Sequence, residues 1–483
     1  MEVRNLSPQA LWSNFADLNA VPRPSKREGR VVNFMIRFGK SLGLDTFSDS
    51  IGNVIIKKPA TPGMENRPTV VLQSHLDMVH QKNNDTLFDF ETQGIEMVAE
   101  GDWVKARGTT LGADNGIGVA AIMTILAARD IAHPALEALF TVDEETGMTG
   151  AKKLDPSFIT GKILLNLDTE EDTELDIGCA GGLDTNTSMT YSESPIPDNY
   201  AALTVKVGGL IGGHSGTDIH KGRANANKLM NRLLYQAIQK FNLKLASFDG
   251  GGLRNAIPRE AVVEIALPTE QKEGFRLFVS DFSQVIKAEY ASIEKSLSIE
   301  CTESPLPAKA MDDSVLRKVV NALYSIPNGV FRMSPDIKDL VEASSNLARV
   351  TIKNGTFKTQ SLQRSSVESS KEDIANALKA GFENIGCAVE QTGDYPGWKP
   401  NKDSKILQVM RKLYKDYFGH EPEVKACHAG LECGILGGHF PEMDMISFGP
   451  TITGAHSPDE KVQISSVQKF WKYLLGILQS IQA

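Results

Sequence analysis

Apolar positions in the first third of the chain follow two alternating rhythms. Residues 11–18 and 30–42 repeat at helical spacing, 52–56 and 70–72 are short apolar runs, 116–129 is apolar almost all round, and 136–142 and 162–167 are short runs again. Spacing of three and four predicts helices, and short Val/Ile/Leu-rich runs predict buried strands. Strand and helix in alternation imply an α/β fold, a mostly parallel sheet with helices on both faces. The tail resumes the theme, with helices expected at 404–418 and 465–482 and a strand at 443–448.

Two turn-rich stretches, 192–199 and 392–397, interrupt this pattern and read as hinges. The expected organisation is a catalytic domain of residues 1–185 and 394–483 carrying an inserted domain of residues 186–393. Inside the insertion, strands at 200–207 and 259–267 flank a helix at 224–237. A second round follows, with helices at 313–323 and 371–385 and strands at 347–352 and 359–364. Two such rounds predict an α+β lid of two subdomains.

The chain has 483 residues, a formal charge of −9 and a pI near 5.6. Length predicts about two to four domains. Without clustered Lys and Arg, a nucleic-acid partner is not expected. No apolar stretch approaches the roughly 20 residues of a membrane span, and the N-terminus lacks a basic segment followed by an apolar one. The five cysteines are odd in number and have no CxxC spacing, which argues against a disulfide framework and a thiolate zinc site. A cytoplasmic protein is expected.

The chemistry sits where the predicted strands end. His75 and Asp77 follow the run at 70–72, Glu144 and Glu145 follow 136–142, Asp168 follows 162–167, and Asp114 lies in a glycine-flanked turn before the helix at 116–129. In an open α/β sheet the carboxyl edge is where ligands bind. With the distant His456, these residues make a mixed imidazole and carboxylate set suited to zinc, manganese or cobalt. The acids are too many for one metal. Asp114 is the best bridge between two, since a carboxylate offers two oxygens and Gly112 and Gly116 let the backbone turn closely. Asp77 suits the other ring nitrogen of His75. If the segment is extended, Glu144 and Glu145 point to opposite sides, so one can ligate while the other handles protons. His214, in the glycine-rich run 208–216, reads either as an ordinary loop histidine or as one that swings over the metals.

Six ordered motifs then carry a resemblance: Ser74-His75-Leu76-Asp77, the run Arg107 to Gly116, Asp143-Glu144-Glu145-Thr146-Gly147, Asn166-Leu167-Asp168, Gly212-Gly213-His214-Ser215-Gly216, and the run Gly454 to Glu460. Together they resemble the di-zinc exopeptidase family of carnosinases and bacterial dipeptidases, over essentially the whole chain. The resemblance implies two Zn²⁺, with Co²⁺ or Mn²⁺ as substitutes, bridged by Asp114; His75 and Asp168 complete one site, and Glu145 and His456 the other. It implies Glu144 as general base and acid, with Asp77, the acceptor beside His75, counted in the catalytic set, and a dipeptide as substrate, Xaa-His dipeptides included. His214 would bind the carbonyl oxygen, and Asn255, Arg364 and the backbone at Gly430 the terminal carboxylate. A deacylase of N-acyl amino acids on the same scaffold is the alternative, and a non-catalytic metal-binding protein a third. The insertion is about twice the size usual in the family. In small-lid relatives a homodimer supplies the lid histidine, whereas a second half-lid lets His214 serve its own chain.

Overall fold

A computed structural model describes residues 2–83 and 85–482. The chain forms two compact units: Met1–Gly178 with Trp398–Ala426 and Leu431–Ala483, and Cys179–Gly397 with Cys427–Gly430. The borders lie at 178/179 and 397/398, not at 185/186 and 393/394. The reason is the strand Gly181–Thr190, which pairs along its whole length with Thr356–Ser365 and, on its other side, with Ala388–Tyr395. Residues 181–185 therefore belong to the second unit's sheet. The stretch 192–199 is internal to that unit and not a hinge, because Glu193–Pro195 pairs with Lys309–Met311.

The first unit is built on an eight-stranded sheet in the order Asp45–Ser48, Val54–Lys58, Leu136–Thr141, Val70–His75, Ile163–Asn166, Asp444–Ser447, Glu174–Cys179, Glu423–Cys427. Its four central strands, Leu136–Thr141 to Asp444–Ser447, are parallel, and antiparallel strands flank them. Leu136–Thr141 and Val70–His75 are buried at every position, as a parallel sheet covered by helices requires. The helix Ala113–Ala127 is apolar around nearly its full circumference, so it buries rather than presenting one face. It packs between the strand Val70–His75 and the helix Gln9–Asn19. Register puts His75 opposite Thr141 and Gln73 opposite Asn166, so these strands end at one common edge.

A second, four-stranded sheet joins the tail to the first third. Lys461–Gln463 pairs with Trp103–Ala106, which pairs with Met97–Glu100, while Ile452–Thr453 lines the other side. The loop between Ile452–Thr453 and Lys461–Gln463 carries His456, and this pairing delivers it to residues more than 300 positions away in sequence.

In the second unit the two αβ rounds are halves of one antiparallel sheet. Lys244–Gly251 from the first round pairs with Val341–Lys353 from the second, at Phe248 opposite Ile352. One apolar core runs beneath both halves, from Leu203 and Phe275 to Phe357 and Phe382. Among the described residues no helix is long and apolar enough to cross a membrane.

Candidate active site

Just beyond the common edge of the parallel strands, six predicted side chains converge: His75, Asp114, Glu144, Glu145, Asp168 and His456. Asp114 stands between two groups. Its Oδ1 lies 3.1 Å from His75 Nε2, and that same nitrogen is 3.4 Å from Asp168 Oδ1. Its Oδ2 lies 3.3 Å from His456 Nε2, which is 3.0 Å from Glu145 Oε2. One carboxylate thus faces two separate triads, one oxygen to each.

Several residues fix this arrangement. Asp77, fully buried, approaches His75 Nδ1 at 3.5 Å and accepts from Ser25 Oγ at 2.8 Å and from the Glu144 and Glu145 amides at 3.0 and 3.3 Å. It therefore orients the imidazole and pins the acidic turn together. That turn is not extended. Asp143 adopts a left-handed conformation (φ 55°) and starts the short helix Glu144–Gly147, with Thr146 and Thr149 hydroxyls donating to its carboxylate. Both glutamates consequently lie within reach of His75, and the opposite-faces argument for separating their roles falls away. His456 also holds a left-handed backbone (φ 64°), a conformation that costs a non-glycine residue energy and is found at functional positions.

The electrostatics suit cations. Burial raises the Asp168 and Glu145 carboxyls, and raises that of Glu144 well above the usual range. Burial also works against Asp114, but hydrogen bonds with His456 and His75 hold its carboxyl low. Asp114 and Glu145 in turn push the His456 imidazole up to about 11. Glu145 Oε1 and Asp168 Oδ1 are buried without a hydrogen-bond partner, the latter 3.4 Å from His75 Nε2. Such oxygens are costly unless an ion or proton meets them. The donor set, imidazole and carboxylate around a shared carboxylate, fits divalent zinc-like metals, whose binding displaces protons.

Sequence reasoning missed several contributors. Asn115 Nδ2 donates to the Leu167 carbonyl at 2.5 Å and so links the Asp114 turn to the Asp168 strand end. Glu432, fully buried, accepts from Gln73 Nε2 at 2.7 Å and Thr141 Oγ1 at 2.6 Å, with burial lifting its carboxyl to about 7. Arg23 and Glu460 hold the backbone of the ligand loops. Only Asn115 and Glu460, each within a quoted motif, offered any signal.

The remaining predicted residues lie in the second unit. Arg364, 4% exposed, donates from Nε to Ser215 Oγ (3.3 Å) and from Nη1 to Tyr395 Oη (3.0 Å), and its Nη2 is 3.5 Å from His214 Nε2. Among the described residues no carboxylate pairs with it. His214 is not on a free loop: its backbone N–H donates to Asp218, which Arg223 also grips, and its Nδ1 accepts from the Gly216 and Thr217 amides at 3.2 and 3.1 Å. Those amides require Nδ1 to be unprotonated, so the neutral ring carries its proton on Nε2. Burial and Arg364 hold this imidazole down at about 4, hence neutral. Asn255 lies beside the same loop, its carbonyl accepting from Ser215 N at 2.8 Å. Gly430 ends the segment Cys427–Gly430, whose His428 bonds Ser344 Oγ at 2.8 Å.

The model of Peptidase family M20/M25/M40 matches residues 71–480, and the chain belongs to that family. It is 42% identical over 487 residues to the cytosol non-specific dipeptidase of Escherichia coli K12, covering 100% of this chain and 99% of that one. The crystal structure of aminoacylhistidine dipeptidase from Vibrio alginolyticus superposes with a TM-score of 0.94 at 43% identity, covering 100% of this chain and 98% of that one. The aminopeptidase PepT of Bacillus cereus shares the fold at 17% identity, with a TM-score of 0.58 and 99% of each chain covered.

Proposed function

We infer that the chain is a metal-dependent dipeptidase acting on unblocked dipeptides, Xaa-His among them. The full-length likeness to two dipeptidases supports the reaction class. The observation that carries the mechanism is Asp114, with one oxygen toward His75 and Asp168 and the other toward Glu145 and His456. These five residues would hold two Zn²⁺, with Co²⁺ or Mn²⁺ able to replace them.

Bound there, the two ions supply a water of lowered pKa and a Lewis acid for the scissile carbonyl. Glu144 takes the proton from the attacking water and delivers it to the leaving amine. Asp77 keeps Glu144 in place through the backbone and keeps His75 turned toward Asp114. His214, its proton on Nε2, donates to the carbonyl oxygen as negative charge grows there. Arg364, a buried guanidinium with no carboxylate partner among the described residues, takes the substrate's terminal carboxylate, assisted by Asn255 and the backbone at Gly430. The name of the E. coli relative supports a cytoplasmic location.

The test compares kcat/KM on a free Xaa-His dipeptide with that on its N-acetyl form, beside metal analysis of the active protein. Preference for the free dipeptide with two bound ions is expected. Preference for the N-acetyl substrate would make the chain a deacylase instead.

A further inference from the structure

Three ligand-bearing loops meet at the centre, those after His75, before Asp114 and after His456, and each comes from a distant part of the chain. Two buried charged residues touch all three through the main chain. Arg23, 1% exposed, donates from Nη1 to the carbonyls of Leu76 and Asp77, both at 3.1 Å, and from Nη2 to the Gly112 carbonyl at 2.5 Å and Asn19 Oδ1 at 3.0 Å. Glu460, 2% exposed and four residues beyond His456, accepts four amides. Its Oε2 takes those of Leu111 and Gly112 at 2.7 and 3.0 Å, and its Oε1 those of Ala113 and Asp114 at 2.8 and 3.2 Å.

We propose that Arg23 and Glu460 are positioning residues of the metal centre: Arg23 locks the His75 loop to the Asp114 loop by their carbonyls, and Glu460 locks the His456 loop to the same turn by its amides. Resting on the two-metal reading of the site, this assigns the spacing of Asp114 between its two triads to residues that ligate nothing.

Residue type agrees with the task. Three carbonyls and an amide oxygen spread across a plane match the rigid fork of a guanidinium and not the single point of an ammonium. A carboxylate accepting four consecutive amides satisfies the N–H groups of the non-helical turn through Asp114 and Asn115, which precedes the regular helix. The glycines either side of Asp114 make room for this device. A Cβ on Gly112 would lie 2.5 Å from Arg23 Nη2, and one on Gly116 would lie 2.6 Å from it and 2.9 Å from Phe15. Shifts of about 0.5 Å in a supporting shell are enough to spoil a metal site.

The test uses the full chain with Glu460→Gln and Arg23→Lys. Amide hydrogen exchange at residues 111–116 is followed in metal-free protein, and Co²⁺ is titrated by calorimetry and by its visible absorption. Faster exchange at 111–116, a changed Co²⁺ spectrum and about 10- to 100-fold weaker ion binding are expected, the range for residues that orient ligands. KM for a dipeptide at saturating metal should hold. Wild-type affinity and spectrum in both variants, with only a lowered Tm, would overturn the proposal. Should either variant fail to fold, Gly116→Ala decides, since it pushes on the guanidinium while both charged side chains remain; unchanged Co²⁺ binding there counts against the proposal. Faster exchange at 111–116 in a protein whose wild type binds only one ion would remove the two-metal reading and leave the bracket intact.

Discussion

The first unit gathers carboxylates around imidazoles, and the second gathers imidazoles around a guanidinium. The same side chain responds in opposite directions. Asp168, Asp114 and Asp77 raise His75 well above the ordinary histidine value against the effect of burial, and Asp114 and Glu145 drive His456 up. Burial and Arg364 push His214 down to about 4 and His428 to about 3. The first arrangement concentrates negative charge and calls for cations; the second holds neutral N–H donors beside a fixed positive charge and calls for an anion.

The contrast breaks most completely on removing metal. Chelation should take peptidase activity to background, and back-titration should restore it only at two equivalents; full recovery at one would end the two-metal mechanism. Next in size, Glu144→Gln should lower kcat by about 10² to 10⁴, the usual cost of losing a general acid–base group, with ion content unchanged. Glu145→Gln should instead lose ion binding first. Measured together, exchanged phenotypes would reverse the two roles.

In the second unit, Arg364→Met should cost about 2 to 5 kcal/mol in kcat/KM, the range for breaking one side of a buried charge pair. A C-terminally amidated dipeptide should suffer a similar loss with the wild type but little further loss with the variant. Additive losses would separate Arg364 from the substrate carboxylate.

The smallest effect is on stability. His428 is buried, with a pKa depressed below its unfolded value, so the unfolded chain takes up the proton first as pH falls. Its contribution is complete above the unfolded value near 6.5 and is lost progressively below it, about 2 kcal/mol between pH 7 and pH 5. Urea unfolding at both values should show His428→Asn losing less stability than wild type over that interval. An equal loss would mean that the histidine is not held neutral.

The metal-facing cluster was legible because its residues sit at strand ends and their types announce their chemistry. The sheet order was not, since it depends on which apolar runs meet, and runs such as 70–75 and 136–141 look alike. The strand Gly181–Thr190 escaped notice because its buried side is polar: Thr187 meets Thr359 and Thr185 meets Gln363. Arg23 and Glu432 are single polar residues whose partners lie far off in sequence, and no local pattern marks them. Asp143 bent the acidic turn through a left-handed backbone that alternation could not foresee.

The pairing of Gly181–Thr190 with Thr356–Ser365 also has a consequence during synthesis. At about 5 to 20 residues per second, roughly 170 further residues take about 10 to 35 s to appear. For that time the strand leaves the ribosome with both edges unsatisfied. The central sheet waits longer still, because Asp444–Ser447, the partner of Ile163–Asn166, is made after every strand of the second unit. The inserted unit can therefore complete its main sheet while the unit that hosts it is still open, and slow translation through residues 400–450 would favour that order of assembly.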